Sequence, residues 1–311
     1  YPLLGGLFCL SCSDDEQDSG TKQPTTAGEV TFGVDLTGFS TRVTQDGSSW
    51  NDGDKIGTYV LDMKTLEPVT EAANVPYVCS EEGASVSFTS TTPLKVQNDG
   101  TPVKFVAYYP YNADVRNFNY PVQLAAQERG STACDLLYAA TKEEYTYSPE
   151  NEPHISLNFT HRLAKVILKF VNMEKEPLEV SDVRIEGMQT AASFNIQTDV
   201  LTVDESSVAT INPYHNATTG FYEAIILPSA LTDSYKVSFV LDDREKEWIF
   251  TNLDIALPQF HKGYSYTFAL YIDDSGFVEM GRLENVEGGN SSAPWEDGSS
   301  EDCLLYTSPS P

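Results

Sequence analysis

Four histidines, His154, His161, His215 and His261, are the side chains best suited to moving protons or binding metal near neutral pH, and no two of them form an H-E-x-x-H pair. Scattered in this way, they read as structural. No serine stands in a G-x-S-x-G elbow, and neither a G-x-x-x-x-G-K-[ST] nor a G-x-G-x-x-G loop is present. Asn51-Asp52-Gly53-Asp54 places carboxylates beside a glycine, as calcium loops do, but lacks their twelve-residue spacing and distal Glu. A tight turn whose Asp side chains accept from local backbone amides is the expectation there. A glycosidase needs two opposed carboxylates, and 46 acidic residues make any pair picked from sequence arbitrary. The chain is therefore expected to bind or assemble rather than catalyse, without a cofactor or a metal. If it binds glycans, Trp248 and Trp295 are the candidates to stack on sugar faces.

Charge narrows the partners further. Against the 46 acids stand 19 basic residues, a net charge of −27, which repels phosphate backbones and anionic lipid headgroups and argues against nucleic acid. Copies of the chain repel one another as well. A polymer would need a strong short-range contact, such as backbone strand pairing, to hold. Hydrophobic residues at 40%, with 17 Tyr and 15 Phe, describe a folded β-rich chain and not an acidic disordered one. A length of 311 residues suggests two domains, each of roughly 130 residues.

The two ends read differently from the middle. Residues 1–12, YPLLGGLFCLSC, form an uncharged apolar run too short to span a bilayer, read here as a truncated signal peptide. Leu10-Ser11-Cys12 resembles the end of a bacterial lipobox, which makes Cys12 the candidate lipidation site and outer-membrane lipid its partner. The acidic run Ser13-Asp14-Asp15-Glu16 resembles a surface-export signal of such lipoproteins, and residues 13–28 have the composition of a flexible tether. Residues 303–311, CLLYTSPSP, resemble a translated sequencing adapter and are set aside from fold reasoning. Cys79 and Cys134 then remain, able either to pair in an oxidising compartment or to stay as buried thiols.

Strands must position everything else. Val30, Phe32, Val34 and Leu36 alternate, as do Val103, Phe105, Ala107 and Tyr109, and Tyr235, Val237, Phe239 and Leu241. Val166, Leu168 and Phe170 repeat the pattern, and Tyr264, Tyr266, Phe268, Leu270 and Ile272 give the longest clean alternation. Only Val122 to Glu128 hints at a helix. Turn-rich stretches at 45–54, 97–102 and 148–153 punctuate these runs, the last being the expected linker. The expected organisation is all-β, two antiparallel sandwiches over 29–155 and 156–302.

Several stretches, in order, carry a family resemblance. WNDGDKIGTY at 50–59, VAYYPY at 106–111, DLLYA at 135–139, FTHRLAKVILKF at 159–170, KGYSYTFALYI at 262–272 and PWEDG at 294–298 resemble successive elements of the fimbrillin family of Bacteroides-type bacteria. The resemblance implies a pair of transthyretin-like sandwiches, exported as a surface lipoprotein and built into or capping a fimbria. Its partners would be other fimbrial subunits through strand donation, with a host or bacterial surface glycan or protein as the adhesion target. It also implies proteolytic removal of the first strand, and Arg42, in FSTRVTQDG, lies in the matching segment. The donor would lie within 276–295, which carries Phe277, Val278, Met280, Leu283 and Val286. A monomeric lipid-anchored glycan binder is the alternative.

Overall fold

The structure is a computed structural model, and it describes residues 27–35, 50–69, 73–83, 85–127, 130–150, 152–173, 178–253, 257–273 and 278–288. Its elements are strands throughout, with one 3-10 turn. The first half contains β1 (Ala27–Glu29), β2 (Thr31–Asp35), β3 (Lys55–Asp62), β4 (Val75–Cys79), β5 (Ser85–Thr89), β6 (Lys95–Gln97), β7 (Val103–Tyr109) and β8 (Asn119–Gln123). The 3-10 turn Ser131–Cys134 precedes β9 (Leu137–Ala140), β10 (His154–Leu157) and β11 (Thr160–His161). The second half opens with β12 (Ala164–Asn172), β13 (Val180–Glu186), β14 (Ala191–Asn195), β15 (Val200–Val203), β16 (Tyr214–Asn216) and β17 (Phe221–Ile226). It continues through β18 (Ser229–Ala230), β19 (Lys236–Leu241), β20 (Arg244–Ile249), β21 (Gln259–Phe260), β22 (Tyr264–Ile272) and β23 (Val278–Gly288).

The all-β class expected from the alternation is observed. An eight-stranded sheet runs β10-β2-β5-β4-β3-β7-β9-β11, and β10 at one end and β9 near the other both send side chains into one core, so the sheet wraps around it. That core draws on residues from Val30 to Phe159, with Trp50 edge-on to Phe88, Tyr109 and Phe159. A second core, from Ala164 to Ile272, lies between the sheet β16-β17-β12-β22-β23 and the sheet β13-β19-β20. In both sheets the alternating residues point where the period of two puts them. The β19–β20 reversal is a two-residue turn in which Asp242 and Asp243 both take left-handed backbone, which Asp tolerates better than most side chains.

Burial departs from simple alternation in β3 and β7, which are buried on both faces. A third cluster explains it. Tyr59, Leu61, Val106, Tyr108 and Tyr138, on the outer face of the first sheet, pack with Phe194, Ile196, Ile225 and Leu227 of the second half. The halves also share a sheet, β15-β14-β8, in which Tyr120 of β8 pairs with Phe194 of β14. The stretch from Val122, where sequence hinted at a helix, therefore begins as strand. Tyr120 and Val122 pack on the third cluster while β8 pairs along β14, so the tertiary contact decides.

Two polar devices seal this junction. Gln127, 1% exposed, donates to the carbonyls of Leu124 (2.8 Å) and Ile225 (2.7 Å) and accepts from the Ile225 amide (2.8 Å). Its side-chain amide thus extends the ladder on the edge of β17 beyond the end of β16, whose pairing stops at Glu223. Arg162 grips Asp199 through Nε and Nη2 at 2.5 and 3.1 Å, with its guanidinium 4.7 Å above the Tyr138 ring.

Candidate functional site

The N-terminal strand lies inside the first sheet and not along its rim. β2 runs parallel to β10, from Thr31 opposite His154 to Val34 opposite Leu157, and antiparallel to β5, with Phe32 opposite Phe88 and Val34 opposite Val86. β1 pairs separately with β6. Val30, Phe32 and Val34 are 0%, 0% and 2% exposed. Phe32 meets Tyr77 and Phe105 edge-on, at centroid distances of 4.8 and 5.8 Å. The Tyr77 hydroxyl donates to the Val30 carbonyl (3.0 Å) and accepts from the Leu94 amide (2.8 Å), and burial pushes its pKa up to about 12.

A glycine in each of β1 and β2 lets these N-terminal strands seat closely. A Cβ on Gly28 would lie 2.5 Å from the Tyr147 ring, and one on Gly33 would lie 2.6 Å from His154 Nε2. Taking β2 away would leave a slot walled by β10 and β5 and floored by Phe88, Tyr77 and Phe105. The uncovered apolar surface would cost roughly 25 cal/mol for each Å² left wet. β10, whose partner in the sheet is β2, would lose its ladder as well.

At the other end, β23 forms the edge of the five-stranded sheet, paired with β22 from Gly288 opposite Tyr264 to Val278 opposite Ile272. Leu283 packs on the second core, and Glu284 pairs with Lys169 at 2.9 Å. Gly281 crosses directly over Trp248, where a Cβ would lie 2.0 Å from ring atom Cζ2.

That contact corrects one expectation. Trp248 is 2% exposed, packed against Phe250 and Phe268, and its indole donates to the Asn252 carbonyl at 3.1 Å. Its ring offers no face to a sugar, so it is no stacking platform. The reason is its parity on β20: opposite Val237 it faces the core, while its neighbours Glu247 and Ile249 face out. Cys12, Arg42, Phe277 and Trp295 lie outside the described residues.

The remaining polar candidates are accounted for locally. Asp54 closes its turn by accepting from the Asn51 amide (2.7 Å) and the Tyr109 hydroxyl (3.3 Å), while burial raises its pKa. His161 is buried with its Nδ1 2.7 Å from Asp135. His154 lies 3.1 Å from the Thr31 hydroxyl, His215 stacks on Tyr222 at 4.5 Å, and His261 lies 3.1 Å from Gln259. Cys79 and Cys134 are both free thiols, and burial pushes both thiols up, away from reactivity. No cluster of three or more His, Cys, Asp or Glu placed to hold a metal occurs among the described residues.

Sequence reading passed over Gly28, Gly33, Gly281 and Gln127. The glycines carried a signal, since each interrupts an alternating strand where close approach is the usual reason. Gln127 carried none.

A family model described as fimbrillin-like matches residues 41–295. Among solved structures, a candidate cell adhesion protein from Bacteroides uniformis superposes with a TM-score of 0.67 at 22% identity, over 88% of this chain and 98% of that one. A second candidate cell adhesion protein, from Bacteroides ovatus, gives a TM-score of 0.63 at 15% identity over 86% and 98%. A third, from Bacteroides fragilis, gives 0.51 at 14% over 88% and 100%. At these identities the likeness is one of fold. No curated protein matches the chain.

Proposed function

The chain belongs to the fimbrillin-like family, and from that membership we propose that it is a structural or tip subunit of a bacterial surface fimbria, assembled by strand exchange and acting in adhesion. The observation that carries this reading is the placement of Val30, Phe32 and Val34 inside the sheet between β10 and β5. A cut after Arg42 would sever this strand from the body it plugs. A neighbour's strand entering the slot would run parallel to β10 and antiparallel to β5, with every second side chain replacing those three. Backbone hydrogen bonds then hold the join, as the charge of −27 requires of any polymer of this chain.

In this reading the donor lies within 276–295 of the next subunit. β23 occupies part of that segment and is paired to β22, so donation requires its release from its own sheet. Lipidation at Cys12 holds the uncut chain at the outer membrane, and the cut after Arg42 frees the body from that anchor for assembly at the cell surface. The role is structural and not catalytic.

Limited trypsin digestion of the purified chain, followed by intact-mass measurement and size-exclusion chromatography, tests the proposal. Cleavage after Arg42 should yield discrete, heat-labile oligomers lacking the N-terminal strand. A chain that is cut there and stays monomeric at high concentration overturns strand exchange.

A further inference from the structure

One cavity of about 450 Å³ opens on the first half of the molecule, away from the slot that β2 fills. Its size falls within the range of about 300–1,000 Å³ typical of small-ligand sites. Tyr111 and Phe118 supply aromatic surface over a buried Tyr59, and Asn74, Asn117 and Arg116 supply polar groups. Tyr59 and Phe118 sit with ring centroids 4.7 Å apart, tilted by 43°. Tyr59 is 3% exposed and forms the floor, whereas Arg116 and Asn117 are exposed at the rim.

The polar groups are held but not saturated. Asn74 accepts from the Tyr108 hydroxyl (2.6 Å) and donates to the Asn112 carbonyl (2.9 Å), which fixes its amide and leaves a second N–H. Arg116 donates through Nη1 to the carbonyls of Ala113 (2.6 Å) and Val115 (2.9 Å). Its Nε and Nη2 edge, the fork that matches a carboxylate, bonds no partner among the described residues. Arg116 also makes no ion pair with a described carboxylate, in a chain whose acids outnumber its bases 46 to 19. Asn74, Asn117 and Phe118 all take left-handed backbone, with φ of 53°, 51° and 62°. For a phenylalanine that conformation is strained, and such strain gathers at binding sites.

We propose that this cavity binds a glycan residue bearing a carboxylate, with aromatic faces against the apolar side of the pyranose, Asn74 and Asn117 on its hydroxyls, and the Arg116 fork on its acid group. A pyranose is amphipathic in the manner this wall is: carbon–hydrogen faces suit the rings, and equatorial hydroxyls suit amides. At physiological salt the net charge is screened beyond about 8 Å, so the local fork decides and selects the acid, because two parallel hydrogen bonds to a carboxylate have no equivalent in a hydroxymethyl group. The site supplies a ligand class for the adhesive role above and rests on that reading only for its setting. Binding is measured on the uncut chain, so it fails or succeeds apart from strand exchange.

Calorimetric titration of the full chain with galacturonic acid oligomers, and with neutral galactose oligomers of equal length, tests it. Saturable binding of the acidic oligomers is expected, with the neutral ones at least about tenfold weaker, the order expected for a well-placed charged hydrogen-bonding pair. Arg116→Gln, an exposed change that leaves the core untouched, should abolish that preference. Equal affinity for both sugars, no saturable binding of either, or an Arg116→Gln variant that keeps the preference would each overturn the proposal.

Discussion

Single side chains in this protein mostly serve turns and close approaches. Asp62 accepts from the amides of Thr65 and Lys64, Asp99 from Thr101, and Asp204 from the hydroxyl and amide of Ser206, and these bonds hold all three carboxyls below their usual range. A depressed folded value means that the folded chain keeps these charges to lower pH than the unfolded chain does. Their contribution is fully present above the unfolded carboxylate value of about 3.9 and is lost as pH falls through the folded values. A combined Asp62→Asn, Asp99→Asn, Asp204→Asn variant should therefore be less stable than the parent at pH 7, with the gap closing near pH 2, as read from denaturant midpoints. A gap that does not change with pH would show that the charge is not what the turns use. Gly281 acts at the same scale, since Trp248 fills the space a Cβ would need.

Elements depend on one another at their edges. β17 has its outer edge covered by β16 only as far as Glu223, and the Gln127 amide serves the Ile225 amide and carbonyl beyond it. Gln127→Leu keeps most of the volume but strips both partners from a buried backbone position. It should cost about 1–3 kcal/mol, the penalty for buried groups left unsatisfied. Hydrogen exchange at Ile225 should speed up selectively, and unchanged exchange there would remove Gln127 from this role. β2 is the opposite case, an element held by neighbours on both sides and yet joined to the body only through the segment that contains Arg42.

The whole molecule is welded across its middle. The first and second cores change over between Phe159 and Ala164, but the third cluster and the mixed sheet β15-β14-β8 draw on both halves. Neither half can unfold without exposing part of that shared core, so calorimetry should record a single cooperative transition. Phe194→Ala, which empties the shared cluster and costs about 3–5 kcal/mol, should broaden or split it. Two well-separated transitions in the parent chain would show the halves to be thermodynamically independent.

Sequence by itself determined the class of fold and most of the inward faces. Val166, Leu168, Phe170 and the Tyr264 to Ile272 series lie where a period of two places them, because strand geometry is local and one face must leave water. It also carried the order of motifs that identifies the family. Only the tertiary structure decided which second faces are covered. Val106 and Tyr108 are buried because the other half lies against them, and Trp248 is a core residue because Gly281 crosses it. Arg116, Asn74 and Phe118 meet at one cavity because separate loops converge there. Such contacts join residues distant along the chain, and no local pattern of residue types encodes them.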